Sequence, residues 1–577
     1  MFRTGVQNTV FDVAVVGGGL AGLATALRLQ AEGRSTVVLE AHGHAGGCAG
    51  YYRRRGFSFD VGATTLVDFE PGGVGAELFD AAGLAAPPTE PLPGYVAWLP
   101  DRTVVLHRDQ RAWHAERLRM LGDSPAHRAF WHRLDRLADA FWRASRAGVR
   151  MPMRGLADVV HNGRRVRARD LPLARHLGDT LGGTLRRHGL RGDDPLVGLL
   201  SMLVEDTVHS TVDRAPLINA ALGITIRGAG LSRATGGMRG FWQTVVGHYK
   251  LQGGRLYCGW RATAVEGRDG DFRVRGPRGT VRARQVVSAL PVATTAALAG
   301  VPGVRPALEP FVRRDAAEQG GAVVVFLGVP EDEVAGPAFT HHQLLRSYGE
   351  PLGDGNNMFV SVSSPGDTAS APAGHRAVML STHTELAGWE DLDDAGHAER
   401  REKTADVMIE EARRVYPRLA ERPVVRETGT PRAYARYTFR PRGAVGGVRQ
   451  SPANANQHAV PHDIGVPGFW VVGDSTWPGL GTVACVLGSR IVAGLALRHG
   501  RKAAGRSAAG RAARPEQKAG PPPRPEQAAR PEQKAGPPPR PEQAAQPERP
   551  AGKHSAAGPA PRPEQAAGRV ARPGRVA

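Results

Sequence analysis

A short apolar run, Phe11 to Val16, ends in three glycines. A run of that length bounded by glycine predicts a buried strand. Apolar positions then recur at helical spacing from Leu20 to Gln30, and a second short apolar run covers Thr36 to Leu39. Strand, glycine turn, helix and strand make a βαβ unit. Helical patterning dominates 112–148 and 172–209. A glycine-rich entry leads into a helix over 236–251, followed by a strand around 285–289. Three β-rich runs come next, at 322–327, 358–363 and 377–382. A helix over about 398–415 and a strand-turn-helix over 469–497 follow. This order predicts an α/β fold: a Rossmann-like nucleotide-binding domain interrupted by a mixed α+β domain. The nucleotide-binding segments are expected at 8–85, 231–295 and 431–500. The second domain takes 86–230 and 296–430.

Residues 501–577 differ in kind. RPEQKAGPPPRPEQAA occurs twice in tandem, at 514–529 and 530–545, and aromatic residues are absent. Such a segment cannot bury enough apolar surface to offset its ordering entropy, so a disordered tail is expected. The tail changes the meaning of the net charge of +20. It holds sixteen Lys/Arg and six Asp/Glu, hence +10, half of the excess. The other half is spread over about 500 residues with no interleaved aromatic-basic platform, so no nucleic-acid partner is expected. The three cysteines, Cys48, Cys258 and Cys485, show no CxxC spacing, which indicates neither a disulfide framework nor a metal site. No run of 18 apolar residues occurs, so no membrane-spanning helix is expected. The N-terminal sequence lacks a signal-peptide pattern, and the expected compartment is the cytosol.

The chemistry concentrates in glycine-rich turns. Gly17-Gly18-Gly19-Leu20-Ala21-Gly22 is a G-x-G-x-x-G between strand and helix. Gly17 allows the tight turn, Gly19 admits a pyrophosphate to the backbone, and Gly22 lets the helix pack close to the strand. The phosphates then sit on free N–H groups at a helix N-terminus, beside Leu20 and Ala21. Glu40 ends the second strand, eighteen residues after Gly22. A carboxylate there accepts hydrogen bonds from a ribose diol. A second pair, Gly46-Gly47, lets backbone pass close to the middle of the cofactor, which an NAD domain does not need. That favours FAD. At the far end, Val471-Val472-Gly473-Asp474 leads through a glycine-rich turn to Gly481 and Thr482. Asp474 suits a ribityl hydroxyl. The helix N-terminus that follows suits the flavin pyrimidine, where negative charge gathers on reduction.

These motifs resemble the phytoene desaturase-like group of FAD amine-oxidase-fold enzymes, in particular its carotenoid C-3′,4′ desaturase and carotenoid isomerase branch. Five stretches carry the likeness: GGGLAGL at 17–23, GGCAGYYRRRGFSFDVGAT at 46–64, GGMRGFWQTVV at 236–246, TPRAYARYTFRPRGAVGG at 430–447 and VVGDSTWPGLGT at 471–482. The resemblance covers nearly all of residues 10–498 and none of the tail. It implies FAD, a two-domain fold and a long hydrophobic polyene substrate. Related enzymes often carry a His where Trp477 precedes Pro478, and a different residue at Leu480.

Oxidising a hydrocarbon this way needs a hydride acceptor at flavin N5 and loss of a second proton. The leading expectation is a polyene desaturase. The alternatives are a redox-neutral cis–trans isomerase, an oxidase of a smaller amine or porphyrinogen, and a non-catalytic flavoprotein. No catalytic set stands out. Asp206, His209, Asp213 and Arg233 are candidates for the cavity, with a surface or structural role as the competing reading. Cys485 reads as a packed thiol. Finally, Phe130, Leu134, Leu137 and Phe141 recur at helical spacing among arginines that continue to Arg154. This is either a basic amphipathic helix resting on an anionic membrane or a core-facing helix with a solvated arginine face.

Overall fold

A computed structural model of the chain describes residues 9–225, 230–479 and 481–512. The N-terminal unit forms as the periodicity predicts: β1 (Val10–Val16), α1 (Leu20–Ala31) and β2 (Thr36–Leu39). β1 pairs in parallel with β2 and with Gly279–Ser288, and Phe469–Val471 adds in parallel to the far side of that strand. The sheet therefore collects strands from both ends of the described chain. Its centre reads as continuous apolar sequence because helices cover both faces. Val15, Val38 and Val287 are all fully buried. α1 buries Leu23 and Leu27 and packs on the terminal helix, Thr482–Ala512.

A second seven-stranded sheet runs in the order 425–429, 321–330, 375–384, 357–362, 341–345, 94–98, 103–107. All its pairs are antiparallel except 341–345 with 94–98. The strand Gly321–Pro330 shows why side matters in such a sheet. Val323, Val325 and Leu327 pack with Met408 and Tyr416, while Val324 and Phe326 pack with Phe59 and Tyr434 on the other face. A helical layer containing Pro125–Arg146, Asp194–Val208 and Leu217–Thr225 completes the body.

One open alternative is decided and two expectations change. Helix Pro125–Arg146 is a core helix: Phe130, Trp131, Leu134 and Leu137 are buried against Leu199, Leu203 and Leu217. The arginines at its C-terminal end are engaged with carboxylates. Arg143 pairs with Asp170 at 3.0 Å, Arg146 pairs with Asp68, and the following Arg150 lies 3.6 Å from Asp158. The terminal helix continues past residue 500 to Ala512, so the first residues assigned to the tail are helical. The rest of the expected tail lies outside the described residues. One stretch of the same helix, Thr482–Ala504, is long and apolar enough to cross a membrane by length and composition. Half of its most apolar window is buried in the protein, where it packs on α1.

Candidate active site

A cavity of about 1290 Å³ runs from Glu40 and the first glycine turn, past Asp474, to the second sheet. At its first end Gly17 takes φ +106°, a region that L side chains avoid, and its N–H donates to Leu39 O at 2.9 Å. A Cβ on Gly22 would collide with the Gly17 carbonyl oxygen and lie 2.9 Å from Ala289 Cβ. A Cβ on Gly19 would meet only Gly47 Cα, at 3.9 Å. Gly46 N–H donates to Gly18 O at 3.0 Å, so the two glycine segments run side by side. The result is a cavity floor built of backbone, with Leu20 and Ala21 at the helix N-terminus beside it.

Glu40 sits at the rim, 9% exposed. Its Oε2 accepts from Gly18 N–H at 2.6 Å and its Oε1 from His42 N–H at 2.7 Å. Burial pushes this carboxyl above its ordinary value, against the opposing effect of those N–H donors. Each oxygen keeps a lone pair for a further donor. The carboxylate thus braces the glycine turn as well as facing the cavity.

Gly473, Asp474, Gly481 and Thr482 line the same cavity. Leu480 lies outside the described residues. Arg440, within the stretch 430–447 but assigned no role from the sequence, spans this part of the site. Its Nη1 lies 2.7 Å from Asp474 Oδ2 and 3.2 Å from Cys48 Sγ, and its Nη2 donates to Gly446 O at 2.5 Å. Its Nε is buried without a partner among the described residues. Burial alone would raise the Asp474 carboxyl, but the Arg440 guanidinium holds it below its ordinary value. Burial pushes the Cys485 thiol up to about 12, with Asp474 and Cys48 adding to it. That keeps it protonated and unreactive.

The cavity then opens against Met202, Leu231, Val324, Phe326, Met358 and Phe359. One polar cluster interrupts this apolar wall. His209 takes a left-handed conformation, φ +51°, as the cap of helix Asp194–Val208. Its ring centroid lies 4.9 Å from that of His383. His383 Nδ1 is 3.6 Å from Glu205 Oε2, and Asp206 accepts a hydrogen bond from Gln343. Burial, then the neighbouring His383, pulls His209 down to about 3, so it is neutral. Burial would lower His383 too, but the Glu205 carboxylate outweighs it and raises His383 above its ordinary value. Of the four candidates, Asp206 and His209 line the cavity. Asp213 instead pairs with Arg186 and Arg191 at the surface, each at 2.8 Å, and Arg233 pairs with buried Asp60 at 2.8 Å. Glu205 and His383 escape a reading of the sequence, because they lie on a helix and a strand 178 positions apart with no motif around either.

Residues 15–82 match the family described as NAD(P)-binding Rossmann-like domain. The chain is 24% identical to the chloroplastic prolycopene isomerase of Daucus carota over 496 residues, covering 83% of this chain and 78% of that protein. It is 45% identical to the lycopene-forming phytoene desaturase of Pantoea ananas over 69 residues, 12% of this chain and 13% of that one. Among solved structures, cyclohexylamine oxidase from Brevibacterium oxydans superposes with a TM-score of 0.54 at 15% identity, covering 85% of this chain and 99% of that chain. Motifs, fold and matches together define an enzyme of the oxidoreductase type built on a Rossmann-like dinucleotide-binding fold. The chain is similar to prolycopene isomerases over most of its length and to a phytoene desaturase over a short stretch.

Proposed function

We propose that the chain holds FAD non-covalently and acts on a long hydrophobic polyene, desaturating it. The continuous cavity carries this reading: a floor of bare backbone at one end opens into an apolar chamber at the other. The residues present fit the cofactor. Gly19 leaves open space for a pyrophosphate with Gly46 and Gly47 beside it, and Arg440 lines the same cavity next to Asp474. Glu40 suits the adenosine ribose, Asp474 the ribityl chain, and Gly481 with Thr482 the pyrimidine end. FAD bound there supplies the hydride acceptor.

The protein's part is to align and to manage protons. Met202, Val324, Phe326, Met358 and Phe359 exclude water and hold a hydrocarbon by dispersion and burial. His209, kept neutral by burial, can accept a proton at a ring nitrogen. His383, whose charged form is favoured by Glu205, can donate one when protonated. Redox-neutral cis–trans isomerisation is a second reading, favoured by similarity to prolycopene isomerases over most of the chain. Expression in a polyene-producing host followed by mass analysis decides between them. Desaturation lowers the product mass by a hydrogen pair, whereas isomerisation changes retention time without changing mass. An unchanged polyene profile with flavin-loaded protein would sink both.

A further inference from the structure

The apolar face of helix Pro125–Arg146 is buried, but an exposed apolar surface lies a few residues beyond that helix. Nine large apolar side chains are conspicuously exposed among the described residues, and four of them fall between 156 and 171. Leu156 is 83% exposed, Val159 50%, Val160 52% and Leu171 56%. The first three stand at i, i+3 and i+4 of the helix Leu156–Gly163, so they share one face, and that face has no partner in the fold.

The charge beside this face is one-sided. Arg164, Arg165, Arg167 and Arg169 follow the helix directly and are all exposed. The nearby carboxylates are turned away from them. Asp158 lies near Arg150 and accepts from Arg154 N–H at 3.1 Å, and Asp170 is held by Arg143. Arg165 donates only to the carbonyl oxygens of Ala147 and His161, which leave its charge uncompensated. Four arginines thus stand without a carboxylate among the described residues. The C-terminal tail makes a poor occupant, because it carries +10 itself. A nucleic acid would want aromatic stacking surfaces, and none stands in 154–176.

We propose that helix Leu156–Gly163 and the arginines after it form a docking surface for an anionic lipid bilayer. The aliphatic face enters the headgroup boundary, and the arginines engage lipid phosphates around it. This holds whatever polyene reaction the cavity performs. The cavity itself lies elsewhere, since no residue of 156–171 lines it.

The test uses the full chain and sedimentation with phosphatidylcholine vesicles, with and without phosphatidylglycerol. The wild type is expected to sediment with the anionic vesicles and to release as salt rises. Replacing Arg164, Arg167 and Arg169 with Glu should weaken that binding on the order of 100-fold, at roughly fivefold for each arginine lost. Replacing Leu156, Val159 and Val160 with Ser should weaken it at least about tenfold. These side chains are exposed, so circular dichroism and thermal midpoint should match the wild type and confirm folded protein. Wild-type protein that ignores anionic vesicles overturns the proposal. So does equal binding by the wild type and both folded variants, which would assign the attraction to the tail. Loss of oligonucleotide binding in the Glu variant with vesicle binding intact would make nucleic acid the partner instead.

Discussion

The guanidinium of Arg440 lies 2.7 Å from the carboxylate of Asp474 and joins the loop after Thr438 to the turn after the last strand. Both side chains are largely withdrawn from water, at 13% and 20% exposure. Breaking such a pair by removing one partner strands the other charge, which costs about 3 kcal/mol. Arg440→Met should therefore lower stability by that order and also weaken flavin retention, since Asp474 loses the partner that fixes it at the cavity wall. Arg440→Lys should do less, keeping the charge while losing the fork. Denaturant unfolding and flavin content after gel filtration report the two effects separately. Full flavin content in folded Arg440→Met protein would show that the cation serves the fold alone.

The two ends of the first glycine turn do different work, and substitution separates them. Gly19→Val places its side chain in open cavity, with only Gly47 Cα near its Cβ. The fold should stand and the cofactor should be excluded. Gly22→Ala drives a methyl group into the Gly17 carbonyl oxygen and Ala289. Overpacking of this kind costs about 1–3 kcal/mol, so stability should fall together with flavin content. Thermal unfolding of both apo-proteins checks this. A destabilised Gly19→Val with a stable Gly22→Ala would reverse the assignment.

Acid should destabilise the protein through its buried neutral histidines, of which His342 is the clearest. Trp98 Nε1 donates to His342 Nδ1 at 3.2 Å, which leaves Nε2 to serve Phe339 O at 3.0 Å as the N–H nitrogen. Burial pulls the group down from 6.5 to about 4, only partly offset by that carbonyl. The unfolded chain then binds a proton that the folded chain refuses, so stability rises with pH across this window. It should be complete above about pH 6.5 and fall on the order of 3 kcal/mol towards pH 4. Urea midpoints measured across that range should fall less steeply in His342→Gln than in the wild type. Identical slopes would show that His342 does not stay neutral.

The parts legible in the sequence are those with a local period or a fixed spacing. Phe11 to Leu39 could be read because its strands and helix carry distinct apolar periods around an obligatory glycine turn. The closing strand at Phe469 could be read for the same reason. The strands Gly94–Trp98 and Thr103–His107 precede the helical stretch at 112–148, in a segment where no element is assigned from the sequence. The arginine-rich helix was ambiguous in principle. An apolar stripe at helical spacing looks the same whether Leu199 or a lipid chain covers it, and only the partners of Arg143 and Arg146 decide. Arg440 and the Glu205–His383 pair were invisible for another reason: their meaning comes from long-range contacts that leave no periodic trace.

That last pair gives the sharpest test of the chamber's chemistry. His383 is partly buried, and that desolvation by itself favours the neutral ring. Its charge depends on Glu205 at 3.6 Å, with Asp206 assisting and Arg449 opposing, while His209 beside it stays neutral. In the wild type His383 should thus hold its proton above pH 6.5 and lose it as pH rises further. Glu205→Gln removes the favourable charge while keeping an acceptor for Asn357, which now donates to Glu205. The His383 ring should then titrate lower than in the wild type. Histidine NMR reads this shift directly. If the charged ring assists turnover, the alkaline limb of the pH–rate profile should move down by the same amount, with activity returning at lower pH. A uniform loss of rate at every pH, or an unmoved histidine titration, would reduce Glu205 to a packing residue and leave the chamber's proton chemistry to His209 alone.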